Sequence, residues 1–274
     1  MKRIFNIVFL LFIVNLTVNS QIIFEDSFED DSLNLNHWNV TWWTPHGQLP
    51  EGLAPEIVNS PVRYGKHAVK IKAQYNWNGI SDYSRTELTA NRNDNGNHHT
   101  FFYPGKEYWI GFSVYMPKNW LPDYKAEELL FQLHGNEGDR SPSLGLYVNG
   151  EDWYWYIRWG KTLNSPDIDG EKNMWQDKYK KGVWVDFVIH AKWSYSDDGY
   201  GFLEIWKDGQ SLFTHNGPNC YNDDLKIRGP QTGIYKWNWA NGRGFEIAKR
   251  EAFFDEYRVG EEKSTYNDVA PRNK

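Results

Sequence analysis

The sequence predicts an all-β fold, two antiparallel sheets packed as a β-jelly roll, and three observations carry that prediction. Short runs in which apolar and polar residues alternate recur along the chain, the period of a half-buried strand. Turn residues separate the runs, among them Asn149-Gly150 and Asp208-Gly209, the strongest short-range hairpin signals. Helical periodicity is scarce. The 15 Trp and 17 Tyr fit this architecture, because aromatics fill a sandwich core and also stack on sugar rings.

Taken in order, the strand-like runs are HAVKIKAQY, EYWIGFSVYM, ELLFQLHG, LGLYVNG, DWYWYIRWG, WVDFVIHAKW, GFLEIWKDGQSLF, TGIYKW and AFFDEYRVG. In DWYWYIRWG, alternation puts Trp153, Trp155, Ile157 and Trp159 on one face and Tyr154, Tyr156 and Arg158 on the other. The first set predicts core, and Tyr156 and Arg158 are candidates to line a binding sheet. GFLEIWKDGQSLF predicts a structural hairpin with Leu203, Ile205 and Phe213 inward. Short helices or loops are expected over Asn119 to Glu128 and Pro166 to Tyr179.

The chain opens with basic residues, an apolar run from Ile4 to Val14, and small residues Val18 and Ser20, the form of a secretory signal cleaved after Ser20. Residues 21–274 are then expected to form one domain, since no linker, charge block or repeat divides them. The expected location is outside the cell or in the periplasm, with no membrane segment after signal removal and a monomeric chain. A single cysteine, Cys220, leaves no partner for an internal disulfide. A formal charge of -6 argues against nucleic acid but leaves room for an anionic sugar polymer held in a local basic groove.

Three runs carry chemistry. In YSRTELTANR, residues 83–92, a strand would put Tyr83, Arg85, Glu87 and Thr89 on one face. In LLFQLHGN, residues 129–136, Phe131 and Leu133 point to the core while Gln132 and His134 point away. In GPQTGIYKWNW, Tyr235 and Lys236 are available. Together these supply β-elimination on a uronic acid. Removing the weakly acidic C5 proton builds charge on the adjacent carboxylate, so donors such as Arg and Gln must be placed there beforehand. A base reaches C5 and an acid protonates the departing O4. A Tyr serving as base needs a cation beside it to lower a pKa normally about 10, and Arg85 or protonated His134 is placed for that.

On these residues the sequence resembles the jelly-roll polysaccharide lyases: alginate lyases, glucuronan lyases and heparin lyase I. SRTEL at 84–88 is similar to the Arg-Thr/Ser-Glu-Leu motif of alginate lyases. QLH at 132–134 resembles Gln-Ile/Val-His, and QTGIY at 231–235 resembles Lys-x-Gly-x-Tyr, with Gln231 in place of Lys. The long hairpin and the closing strand AFFDEYRVG resemble the glucuronan lyase and heparin lyase I branch. The resemblance implies a concanavalin-like sandwich with a concave substrate groove and an acidic polysaccharide as partner. It also implies Arg85 and Gln132 on the uronate carboxylate, His134 as neutraliser or base, and Tyr235 as acid or as both acid and base.

Glu87 is expected to fix Arg85 or to face substrate with Tyr83, Tyr156, Arg158 and Lys236, while Lys236 or Arg228 could replace the missing Lys. No cofactor is required for the chemistry. Asp26 and Asp255 are candidates for a structural Ca²⁺ that the resemblance allows. His98-His99 is expected in a loop, and His190 in a structural role. Two other classes compete: a non-catalytic carbohydrate-binding module, and a glycoside hydrolase, which needs two carboxylates across the scissile bond; Glu246 and Glu251 fit that poorly. Which uronate is cut stays open, with a lean to glucuronan-type or mannuronate polymers.

Overall fold

The computed structural model describes residues 21–42, 52–75, 84–90, 102–135, 140–198, 200–222, 229–240, 242 and 244–273. Its strands in chain order are β1 (Ile22–Asp26), β2 (Trp38–Trp42), β3 (Glu56–Val58), β4 (Ala68–Gln74), β5 (Arg85–Ala90), β6 (Glu107–Tyr115), β7 (Glu128–Leu133) and β8 (Leu144–Asn149). They continue as β9 (Asp152–Trp159), β10 (Gly170–Lys178), β11 (Trp184–Lys192), β12 (Phe202–Lys207), β13 (Gln210–Asn216), β14 (Gln231–Tyr235) and β15 (Lys249–Glu261), followed by one short helix, α1 (Tyr266–Val269).

The strands form two sheets, the layering expected of a jelly roll. An eight-stranded sheet runs β13-β12-β11-β6-β15-β4-β3, with β1 also paired to β15, and a seven-stranded sheet runs β10-β9-β8-β7-β14-β5-β2. The consecutive strands β7 to β10 make a meander, whereas β14 arrives from far along the chain and inserts between β7 and β5. That insertion builds the site described below.

Alternation gives each sheet one apolar face, and the two faces meet in a shared core. Phe112 of β6 and Phe131 of β7, both with no exposed surface, stack across the layers with centroids 4.8 Å apart. Trp155 of β9 meets Phe187 of β11 edge to face at 5.4 Å. Each such side chain, taken out of water, stabilises the fold by roughly 1.5–3 kcal/mol. Of the expected inward sets, Trp153, Trp155, Ile157, Leu203 and Ile205 are buried, whereas Trp159 and Phe213 are only partly buried and pack against the core from its margin. Cys220 is a buried free thiol.

The Asp208-Gly209 hairpin joins β12 to β13 with both residues at positive φ, 50° and 80°, the two-residue turn whose twist matches the strands. Pro166 to Tyr179, expected as helix or loop, instead contains β10. Its sequence GEKNMWQDK is mostly polar because it is the outermost strand of its sheet and exposes much of both faces, a composition that blunts an open edge. His190 is structural as expected, stacked at 3.7 Å on Trp109 with Nδ1 3.1 Å from Glu204.

Candidate active site

Three neighbouring strands of the seven-stranded sheet position the candidate residues. In the β14–β5 ladder, Tyr235 lies opposite Arg85, Gly233 opposite Glu87, and Gln231 opposite Thr89. On its other side β14 pairs Gln231 with Gln132 of β7. Opposed residues share a face, so Arg85, Glu87, Gln132 and Tyr235 stand on one face, with Phe131, Leu133, Leu88 and Ile234 packed in the core behind them. The glycine in QTGIY has a steric reason. A Cβ on Gly233 would lie 2.3 Å from the Thr86 carbonyl oxygen and 2.7 Å from Glu87 Cα, and φ there is +148°. Only glycine lets β14 come this close to β5.

The Arg85 guanidinium lies over the Tyr235 ring, Cζ 3.9 Å from the centroid, and its Nη1 is 3.5 Å from Glu87 Oε2. Glu87 is 1% exposed, which rules out a surface ion pair and also direct contact with a ligand in the groove. Its Oε1 accepts a hydrogen bond from Gln132 Nε2 at 2.5 Å. Gln132 is wholly buried, and its Oε1 has no partner among the described residues. Burial raises the Glu87 carboxyl above its ordinary range, against the opposing pull of Arg85 and the Gln132 hydrogen bond.

Tyr235 corrects one expectation. Arg85 does pull its pKa down, but burial pushes it up more strongly, and Glu87 adds to the rise. The phenol therefore holds its proton in the free protein. No described residue forms a hydrogen bond to its hydroxyl. His134 follows β7, with Nδ1 2.9 Å from the Gly135 carbonyl oxygen and Nε2 2.7 Å from the Arg140 carbonyl oxygen. A neutral imidazole carries one N–H and can donate to only one of these acceptors, whereas the imidazolium donates to both.

Next to this centre the same face carries an aromatic strip. Arg158 donates from Nη1 to the Tyr147 hydroxyl at 2.7 Å and from Nε to Glu171 at 3.0 Å, and its Cζ sits 4.4 Å above the Tyr156 ring. Tyr147 and Tyr154 stack at 5.2 Å. Trp237 meets Tyr235 at 5.9 Å and Tyr147 at 6.1 Å, linking the strip to the centre. Tyr156 and Arg158 thus lie where expected. Tyr147 and Tyr154 were not singled out from sequence. Their signal was there in the alternation, since Tyr154 shares parity with Tyr156 and Arg158, and Tyr147 is paired with Tyr154.

Other expectations change. Lys236 is not in the groove: it has no exposed surface, and its Nζ is 3.0 Å from Asp123, 3.4 Å from Glu128 and 2.9 Å from the Ala126 carbonyl oxygen. As the residue after Tyr235 it turns to the opposite side, where two buried carboxylates need a cation. Gln231 is nearly buried and donates to Thr89 Oγ1 at 3.3 Å, so a polar neutral group occupies the place where the resembling motif carries Lys. Asp26 and Asp255 are each held by protein donors. Asp26 accepts from the Phe28 amide and the Trp38 indole, both at 2.7 Å, and Asp255 accepts from the amides of Arg63, Tyr64 and Glu256. Among the described residues no three His, Cys, Asp or Glu are grouped to hold a metal. Glu251 belongs to the other sheet, paired with Lys70, and Glu246 caps the loop at Tyr124. Tyr83, His98, His99, Arg228 and the signal segment lie outside the described residues.

The seven-stranded sheet of this jelly roll thus gathers Arg85, Gln132 and Tyr235 on one face, with His134 just beyond β7 and an aromatic strip alongside. The family model for polysaccharide lyases matches residues 32–258. The chain belongs to the polysaccharide lyase family and is an enzyme acting on polysaccharide. Its fold is similar to that of the endo-β-1,4-glucuronan lyase from the fungus Trichoderma reesei, with TM-score 0.67 and 20% identity over 86% of this chain and 99% of that one. A family 7 alginate lyase matches with TM-score 0.56 and 14% identity over 85% and 98%. An alginate lyase from Chlorella virus matches with TM-score 0.51 and 13% identity over 84% and 98%. Curated proteins give no match.

Proposed function

We propose that this protein is a secreted lyase that cuts a β-1,4-linked polyuronate by β-elimination and leaves an unsaturated uronate at the new end. The observation that carries this reading is the Arg85–Tyr235 pair, a cation 3.9 Å from a phenol ring whose hydroxyl no described residue occupies. Arg85 takes the uronate carboxylate, the wholly buried Gln132 supports it from behind through Glu87, and His134 adds positive charge beside it. Tyr154, Tyr156 and Trp237, all partly exposed, offer rings on which flanking sugars stack, and the buried Tyr147 supports them from below.

In glucuronate and mannuronate, H5 and O4 lie on the same side of the ring, so one group serves both. Tyr235, a phenol in the free protein, gives its proton to solvent once substrate is bound, and the phenolate beside Arg85 takes H5. The C5–H electron pair becomes the C4=C5 double bond, the C4–O4 bond breaks, and the phenol returns the proton to O4. His134 has both ring nitrogens on backbone carbonyls, which fits it to a charge-bearing role better than to that of base. The reading therefore favours glucuronan-type or mannuronate polymers. Its steps use side chains alone. Secretion rests on the leader-like first 20 residues, and no helix among the described residues is long and apolar enough to cross a membrane.

The test is a panel of glucuronan, polymannuronate, polyguluronate and a neutral β-glucan, read by ultraviolet absorbance of the unsaturated product. Absorbance growth on glucuronan or polymannuronate is expected. Reducing ends released without absorbance would mean hydrolysis and end the proposal.

A further inference from the structure

The buried amide of Gln132 is satisfied on one side only. Nε2 donates to Glu87 at 2.5 Å, while Oε1 is enclosed with no donor among the described residues. That separation is short for an amide N–H to oxygen contact, which clusters near about 2.9–3.0 Å, and falls in the range of O–H to oxygen bonds, about 2.5–3.0 Å. A half-turn of the amide exchanges its O and N positions without changing its shape. The half-turn satisfies Oε1 only if Glu87 has a hydrogen to give.

We propose, building on the lyase reading above, that Glu87 works as a neutral carboxylic acid, donating its O–H to Gln132 Oε1 and so leaving the positive charge of Arg85 to the substrate carboxylate. The charge balance agrees. An ionised Glu87, 3.5 Å from Arg85, would offset the positive charge meant for the uronate, whereas a neutral Glu87 leaves that charge to the ligand. The charged and titratable described groups facing Glu87 are Arg85 on its own strand and Tyr235 on β14. Gln132 on β7 is uncharged, and the residue paired with Glu87 on β2, Thr41, carries no charge. Burial of Glu87, 1% exposed, acts in the same direction by penalising its anion. Glu87 is thus a positioning residue, holding the Gln132 amide and acting on the ligand through Arg85, whose charge it leaves uncancelled.

Two measurements test this. Glu87→Gln keeps the shape and a donor but cannot ionise, and it should retain kcat/KM on the preferred polyuronate within about threefold, as a neutral donor in place of a neutral acid. Glu87→Ala releases the Gln132 amide and should lose roughly 10²-fold, the cost of a misplaced contact to the reacting group. Independently of activity, wild-type protein labelled with carboxyl-¹³C glutamate should show a glutamate resonance in the protonated range at pH 7, missing from Glu87→Gln. Glutamate labelling leaves the aspartates silent. A Glu87→Gln enzyme as impaired as Glu87→Ala, or a wild-type spectrum with every glutamate ionised at pH 7, overturns the proposal and restores an ionic clamp on Arg85. If no polyuronate is cleaved at all, the lyase reading fails, while the resonance still decides the state of Glu87.

Discussion

Arg85 covers the ring of Tyr235 from the neighbouring strand, its Cζ 3.9 Å from the ring centroid, and the two residues are direct register partners. One cation therefore covers the phenol and, in the proposed function, also receives the uronate carboxylate. Replacing Arg85 with Ala should weaken substrate binding and turnover together, because the carboxylate is charged in ground and transition states alike. The expected loss in kcat/KM is about 2–4 kcal/mol, measured by initial rates on a folded variant. Near-normal kinetics would show that Arg85 only shields the tyrosine ring.

Tyr235→Phe removes the hydroxyl and keeps the ring beneath Arg85. Turnover should fall by roughly 10² to 10⁴, the usual contribution of general acid–base catalysis, while calorimetric binding of an oligouronate survives. If Tyr235 were only a stacking platform, with Trp237 at 5.9 Å, Phe would serve equally well. An active Tyr235→Phe enzyme would remove the proposed proton transfer.

Lys236 offers a contrast one residue away. Its buried ammonium answers Asp123 and Glu128, and Arg250 also reaches Glu128 at 2.6 Å. Lys236→Met leaves buried carboxylates short of a partner and should cost about 3–5 kcal/mol of stability, read from urea unfolding. Activity per folded molecule should change little. A stable variant with a raised KM would return Lys236 to the groove.

The pH dependence of stability has a worked sign. Burial lifts the Asp255 carboxyl to about 7, well above the unfolded value of about 3.9, so the folded state holds an extra proton between those limits. Stability from this group is complete below pH 4 and is lost as pH rises to 7, with a slope of at most about 1.4 kcal/mol per unit. Glu256 and Asp123 are held low, Glu256 by Arg272 and Arg258 and Asp123 by Lys236 and backbone amides, and they lose their contribution as pH falls through the acid range. Urea midpoints should peak in mildly acidic solution and decline toward pH 7. Asp255→Asn should flatten that decline whatever it does to absolute stability, and an unchanged slope would rule Asp255 out as its source.

What the sequence determined by itself was parity. Two-residue alternation puts Arg85 with Glu87, Gln132 with the side away from Phe131, and Tyr154, Tyr156 and Arg158 opposite Trp153, Trp155 and Ile157, because a strand has no other way to place successive side chains. The turns were equally local, since positive φ selects Asp208, Gly209 and Gly150, although Asn149 itself ends β8 and pairs with Asp152, so that turn is made by Gly150 and Glu151. Parity would also have turned Lys236 away from Tyr235, and reading both into one groove missed it. The open-edge strand β10 escaped because a half-solvated edge needs no apolar stripe. Tertiary structure alone decided that β14 lies between β5 and β7, which brings Tyr235 onto Arg85 and Gln231 beside Gln132 from distant parts of the chain. It alone decided the protonation balance too: Glu87 and Tyr235 are shifted by how much water the fold removes around them, and desolvation depends on every neighbour in space, which a one-dimensional pattern does not contain.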